Sequence, residues 1–170
     1  MIITSIPDYF LQFDEALSLL RIEWASGDDV RSLRASATQL LLLAQELGTQ
    51  HWLVNMNTFP DISVYDQVWL GVHWVPGAMK LPLARVVLVN HRRRVHNQMA
   101  IDSLISMARP LIRFDIQFFP QAGSGLQWLS DHSPRLPELL AEWEALHGSG
   151  TSPADAAAAG APVRPRSFGF

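Results

Sequence analysis

Four strand-like runs lie between residues 17 and 119, and segments with a helical repeat of apolar residues separate them. The runs cover residues 17–24, 52–56, 86–89 and 114–119. Val86-Val87-Leu88-Val89 is the clearest, because a strand that is buried on both faces carries a continuous apolar sequence. Strands that alternate with helices need crossover connections, and these favour parallel pairing.

The ends of the chain add further elements to this pattern. Tyr9–Phe13 alternates weakly and is joined to the next strand by Asp14-Glu15-Ala16, which suits a hairpin. Helical spacing at 126–129 and 139–146 predicts a short helix and a last one. We therefore predict an α/β domain with a mixed sheet of about five strands: an N-terminal antiparallel hairpin, then parallel βα units, and an extra C-terminal helix.

Several residues predict where the helices begin and end. Gly27-Asp28-Asp29 predicts the start of the first helix, since an Asp side chain can accept a bond from a free backbone N–H, and Gly48 fits its left-handed end. Ser63 and Asp66 have the spacing of a capping box at the start of the second helix. Pro76 predicts where that helix stops.

The composition changes near residue 148. Residues 148–170 begin with a linker-like Gly-Ser-Gly-Thr-Ser-Pro run and carry no apolar period. Such a segment buries too little surface to offset its ordering entropy. We predict one domain over residues 1–147 and a disordered tail over residues 148–170.

Composition excludes several classes of function. The chain has no cysteine, which removes disulfides, thiolate catalysis and Cys-ligated zinc, and its formal net charge of −3 argues against nucleic acid as a partner. No signal-peptide pattern is present, and the longest apolar run, Leu40–Ala44, is too short to span a membrane. The histidines and carboxylates form no metal motif, and Gly123-Ser124-Gly125 lacks the spacing of a nucleophile turn. We expect a cytoplasmic, non-enzymatic protein without a cofactor or a metal.

Two loops follow successive predicted strands and should meet at the carboxyl edge of the sheet, where ligands of such folds bind. The second loop holds a cluster of positive charge ahead of a helix, a place where an anion can bind; a solvated loop is the alternative. The candidate anion-binding or ligand-binding residues are Asn55, Asn57, His91, Arg92, Arg93, Arg94, His96 and Asn97.

The second helix offers a candidate for contact with a partner. Val68, Trp69, Val72 and Val75 form one apolar stripe, whereas Leu70 and Trp74 fall on the opposite side at about 100° per residue. Leu70 and Trp74 therefore predict a surface for a partner protein or for a second copy in a homodimer, unless another helix covers them.

A resemblance to a known family rests on several segments, and four of them carry most of it. These are Trp52-Leu53-Val54-Asn55, Pro60-Asp61-Ile62-Ser63, Asn97-Gln98-Met99-Ala100 and Phe114-Asp115-Ile116-Gln117-Phe118-Phe119. In order and spacing, the chain from Tyr9 to Leu129 resembles small bacterial STAS-like proteins, named after sulphate transporters and anti-sigma factor antagonists and also linked to CRAL-TRIO-like lipid binders.

The resemblance implies a signalling or binding module that acts by protein–protein contact through the region from Asn55 to Val75. In anti-sigma factor antagonists, a partner kinase phosphorylates a Ser or Thr at the start of the second helix, and by position Ser63 is the candidate. A regulatory kinase or an anti-sigma factor is the partner that this implies. The alternative function is binding of a small molecule, a lipid or a phosphate-type anion by the two loops at the carboxyl ends of the strands.

Overall fold

The computed structural model describes residues 1–91, 95–148 and 166–167; for residues 95–97 and 166–167 it describes the backbone. The strands are β1 (Ile2–Ile3), β2 (Tyr9–Asp14), β3 (Leu19–Trp24), β4 (His51–Asn55), β5 (Arg85–Val89), β6 (Asp115–Phe119) and β7 (Arg166–Ser167). The helices are α1 (Leu33–Glu46), α2 (Val64–Trp69), α3 (Val75–Ala78), α4 (Val95–Ala108), α5 (Ala122–Leu129) and α6 (Leu136–His147). A π turn, Leu70–Trp74, joins α2 to α3, and short 3₁₀ turns cover Met56–Thr58 and Arg109–Leu111.

The strands form one mixed sheet in which spatial order follows chain order. β1, β2 and β3 pair antiparallel, and β3, β4, β5 and β6 pair parallel. This confirms the predicted α/β class, the N-terminal hairpin, the parallel βα units and the C-terminal helix. β1 and the two-residue β7, which pairs antiparallel with β6, widen the sheet beyond the predicted strands.

All the crossover segments pack on one face of the sheet, which we call the helical face. Side chains at alternate positions of the strands, such as Leu20, Trp52 and Val86, form the main core with residues of α1, α3 and α4. A right-handed crossover between neighbouring parallel strands always returns on the same side, so strands laid down in chain order place their helices together.

α5 and α6 cover the opposite face, which we call the C-terminal face. Leu53 and Val87 of the central strands pack there against Leu126 and Leu129 of α5. Gly125 lets α5 lie close to the sheet, since an added Cβ would lie 2.6 Å from Val87 Cγ1. A Cβ at Gly123, two residues earlier in the same helix, would meet no atom within 4 Å.

These two glycines give a matched test of how α5 packs. Gly125→Ala should lower the free energy of unfolding by about 1–3 kcal/mol, because the methyl group forces α5 away from the sheet. Gly123→Ala should be neutral or should stabilise by up to about 1 kcal/mol, since Ala restricts the unfolded chain more than Gly. Urea unfolding of both variants measures the difference, and an equal loss in both would contradict this packing.

The start of α1 differs from the prediction. The helix begins at Leu33 with Ser32 as its N-cap, so the prediction that Asp28 and Asp29 cap it is wrong. Instead of capping the helix, the Ser32 hydroxyl donates to Asp8 Oδ2, and Ser26 and Ser36 also donate to the Asp8 carboxylate. Asp8 therefore ties the start of α1 to the loop before β2. The φ of +62° at Gly48 confirms the predicted left-handed end of α1.

Asp8 also predicts a pH dependence of stability. Hydrogen bonds from Ser26, Ser32 and Ser36 lower the pKa of Asp8 below its usual value of 3.8. A lowered folded-state pKa gives stability that is present above the unfolded pKa and is lost as the pH falls below about 4. Asp8→Asn should lower the free energy of unfolding by about 1–3 kcal/mol at pH 7. The variant should also lose less of this free energy than the wild type as the pH falls below about 4. Asp28→Asn, at an exposed acid, is the control; an equal change in both variants would contradict the role of Asp8.

The helix after β4 continues through Pro76, so the prediction that Pro76 stops it is wrong. The π turn supplies the reason. It ends with a hydrogen bond that the Val75 N–H donates to Leu70 O, and a new helix, α3, starts there. Pro76 lies in the first turn of α3, where the missing N–H of a proline costs little. Within residues 1–91 and 95–148, no helix has the length and apolar character needed to cross a membrane. The tail predicted over residues 148–170 lies outside the described residues except for Gly148 and β7.

Candidate functional site

A cavity of about 430 Å³ lies at the carboxyl ends of the parallel strands, on the C-terminal face. The two loops predicted to be neighbours meet there: the His91 backbone N–H donates to Asn57 Oδ1 at 2.8 Å. The lining residues come from β2, β3, β4 and β5, from the two loops, from the β6–α5 connection and from α5 and α6 with the residue after it. They are Phe10, Arg21, Glu23, Asn55, Asn57, Val89, His91, Pro120, Gln121, Ala122, Gly123, Leu140, Trp143, Glu144, His147 and Gly148.

A buried ion pair forms the floor of this cavity. Arg21 and Glu23 lie two residues apart on β3, on the same face, and the Arg21 Nη2 atom is 2.7 Å from Glu23 Oε1. Their side chains are 8% and 12% exposed. The Arg21 guanidinium lies over the Trp143 ring at 3.7 Å from its centroid, which holds the planar group in one orientation. Burial lowers the pKa of Arg21 and the adjacent Glu23 carboxylate raises it; an arginine stays charged in proteins.

His147 closes the cavity at the end of α6. Its ring packs against Phe10 and Trp143, with centroids 4.3 and 4.4 Å apart. Burial lowers the pKa of His147, as does the Arg21 charge, while the Glu23 charge opposes them. Burial therefore favours the neutral imidazole, and its buried Nε2 atom has no hydrogen-bond partner among the described residues.

The N-terminus of α5 forms another wall. Its N-cap residue, Gln121, makes no side-chain cap hydrogen bond, and Ala122 and Gly123 line the cavity. The first N–H groups of a helix have no partner within the helix and carry its partial positive charge. The start of α5 therefore borders the same space as Arg21 and His91.

The structure brings together three of the candidate residues predicted for the loops. Asn55, Asn57 and His91 all line the cavity. Asn55 also shapes its own loop, because its Oδ1 accepts the Asn57 N–H at 3.2 Å. Arg92, Arg93 and Arg94 lie outside the described residues, as do the side chains of His96 and Asn97.

The sequence prediction missed Arg21, Glu23, Trp143, His147 and the start of α5. A signal for the first two was present, since alternation along residues 17–24 sets Arg21 and Glu23 on one side of a strand that is otherwise apolar. Two charges at same-face positions of a buried strand need partners or a cavity. Trp143 and His147 reach this edge through the packing of α6, which no local pattern predicts.

Ser63 lies away from this cavity, at the start of α2. It is exposed, and its Oγ accepts the Asp66 N–H at 3.1 Å and donates to Asp66 Oδ2 at 2.9 Å. The predicted N-cap is therefore confirmed. Asp66 also accepts from Arg34 Nε at 2.8 Å, so the capping residues are tied to α1.

The helical segment after Ser63 turns a different face outward from the one predicted. Leu70 and Trp74 point into the core, and Trp74 Nε1 donates to Ala37 O at 2.7 Å. The exposed apolar face consists of Val64, Tyr65, Val68 and Val72, which are 57–83% exposed. The larger Leu and Trp side chains bury more apolar surface than the valines, which favours this orientation.

Comparison with protein-family models, with curated proteins and with solved structures finds no match. No group of three or more histidines and carboxylates that could hold a metal ion is present among the described residues.

The buried ion pair predicts a large effect for removing one charge. Glu23→Gln should lower the free energy of unfolding by about 3–5 kcal/mol, because Arg21 is left buried without its counter-charge. Asp131→Asn is the control: Asp131 pairs with Arg85 on the same sheet but is 77% exposed, and its loss should cost at most about 1 kcal/mol. Denaturant unfolding measures both, and equal losses would contradict the burial of the Arg21–Glu23 pair.

Proposed function

We propose that the protein is a binding protein that holds a small polar molecule with an anionic group in the carboxyl-edge cavity. One observation carries the proposal: the two loops meet over the buried Arg21 and beside the uncapped start of α5. The cavity of about 430 Å³ lies within the usual range for small-molecule sites.

The donors around the cavity favour an anionic group. The described contacts of Arg21 use Nε and Nη2, which leaves Nη1 without a partner among the described residues. The first N–H groups of α5 add fixed donors, since they have no partner within the helix. Arg21 and Glu23 neutralise each other and Glu144 also lines the cavity, so an anion would be held by directed hydrogen bonds from Arg21 Nη1 and the α5 backbone and not by net positive charge.

The aromatic groups favour a ligand that also has a flat or apolar part. Phe10, Trp143 and His147 form one wall. Such surfaces stack on planar groups, while a few fixed polar donors set the orientation of the ligand. These features support binding of an organic anion over binding of an inorganic ion alone.

Titration with acetate and inorganic phosphate, followed by amide chemical shifts, tests the proposal. We expect saturable shifts at Asn57, His91 and Gly123, and none at Arg85 or Asp131 at the opposite ends of the strands. Benzoate, which carries a planar ring, should bind more tightly than acetate. Shifts that do not saturate, or that spread over both sheet edges, would count against the proposal.

A substitution that fills part of the cavity gives a second test. Gly123→Leu places a side chain in open space beside the donors and should weaken benzoate binding about tenfold or more, because it occupies the volume of the ligand. Gln127→Leu, at an exposed position of the same helix, is the control for a changed surface. Equal affinities of the two variants, measured by calorimetry, would show that the ligand lies elsewhere.

A second candidate function is protein contact through α2, and a specific observation favours it. The exposed apolar face, Val64, Tyr65, Val68 and Val72, directly follows the exposed Ser63. A phosphate on Ser63 would repel Asp66 and disturb its ion pair with Arg34, which would alter the start of this face. A regulatory kinase or an anti-sigma factor is the class of partner that the STAS-like resemblance suggests.

Capture experiments with three variants test this candidate. Val68→Glu should abolish capture of a partner, Ser63→Asp should weaken it, and Ser63→Ala should keep it while lowering stability by about 1 kcal/mol through loss of the cap. Leu42→Glu, at an exposed leucine of α1, is the control. Capture that is the same for all of these variants would remove α2 as an interface.

A further inference from the structure

A second cavity, of about 200 Å³, lies on the helical face between the sheet and the crossover helices. Every residue that lines it is apolar or aromatic. The polar atoms of its two tryptophans already have partners: Trp52 Nε1 donates to Thr49 Oγ1, and Trp74 Nε1 donates to Ala37 O. A ligand in this cavity would therefore make dispersion contacts and would find neither indole N–H free to donate a hydrogen bond.

The sheet shows where this cavity opens. One row across the central strands, Trp52, Val86 and Ile116, is buried at 3–6% exposure. The next row towards the carboxyl edge contains Val54 and Leu88, which face the same side and are only half-buried. Central parallel strands are normally covered on both faces, so this row marks an opening in the part of the helical layer that the structure describes.

The π turn forms the helical side of the opening. It carries Leu70 and Trp74, which line the cavity together with Leu104 of α4. A π turn is a rare distortion that recurs at functional sites, since it changes the direction of the side chains that follow. Here the segment holds two large side chains over the half-buried row of the sheet.

We propose that this inner cavity binds a small apolar molecule, or the apolar chain of an amphipathic one, which enters beside Val54 and Leu88. Apolar cavities of about 150 Å³ stay free of water and take up molecules of the size of benzene. A free hydrocarbon and the chain of an alcohol or a fatty acid share this chemistry. The cavity lies across the sheet from the carboxyl-edge cavity, so the inference does not depend on the proposed function.

Titration of the full chain with benzene, 1-octanol and octanoate, followed by methyl chemical shifts and by thermal unfolding, tests the inference. Saturable shifts at Val54, Leu88 and Leu104, with a rise in the unfolding temperature, are the expected result. Binding of benzene alone would assign a wholly apolar ligand, and tighter binding of 1-octanol or octanoate would assign an amphipathic one. Absence of any saturable shift at these methyl groups would overturn the inference.

Two variants that fill the inner cavity distinguish binding inside it from binding on the exposed surface of α2. Val54→Phe fills it from the sheet and Leu104→Phe from α4, so one remains informative if the other does not fold. Each should weaken binding of whichever of benzene, 1-octanol and octanoate binds most tightly by about tenfold or more, because the added ring occupies the volume of the ligand. Val68→Phe, on the exposed face of α2, should leave the affinity unchanged; a loss in Val68→Phe that matches the loss in the filling variants would overturn the inference.

Discussion

Strands β3, β4, β5 and β6 lie side by side in the order in which the chain forms them, and this order decides where the helices pack. Because right-handed crossovers between sequential neighbours return on the same side, α1, the α2–α3 segment and α4 share the helical face. The opposite face is left to segments that follow β6. α5 and α6 cover it, and the close approach of α5 depends on Gly125.

Coverage by two short helices leaves the C-terminal face incomplete at the carboxyl edge. There β3 presents Arg21 and Glu23 in place of apolar residues, and α6 brings Trp143 and His147 over them. A buried ion pair is costly unless each charge is well partnered, so the stacking of Arg21 on Trp143 and its bonds to Glu23 give the edge a fixed geometry. The helical face has a different composition at the same edge, with an apolar cavity beside Val54 and Leu88.

Much of the fold could be predicted from residue patterns, because they report local preferences and burial. The run Val86–Val89 indicates a buried strand, and Ser63 with Asp66 indicates the start of α2, as the structure shows. The start of α1 was predicted too early because its determinant, the bonding of Ser32 and Ser36 to Asp8, joins residues far apart in the chain. Val68 with Val72 and Leu70 with Trp74 lie on opposite sides of the α2–α3 segment, as the repeat predicts, but the repeat could not decide which side is covered, and it is Leu70 and Trp74 that pack against the core.

The site was predicted in part for the same reason. Asn55, Asn57 and His91 lie at or just after the ends of β4 and β5, so the general rule for parallel sheets locates them at one edge. Trp143 and His147 enter that edge from α6, whose docking depends on contacts such as Gln12 Nε2 to Leu139 O at 2.9 Å across 127 residues of chain. Tertiary contacts of this kind leave no local pattern in the sequence.

We propose that the carboxyl-edge cavity is a binding site for a small polar molecule with an anionic group. A crystal structure of the full chain, grown with and without benzoate, tests it most directly. We expect benzoate density between Arg21 and the N-terminus of α5, with its ring against Trp143 or His147, and the same open cavity without the ligand. A cavity filled by the protein's own side chains in both crystals, or benzoate bound only at another place, would contradict it.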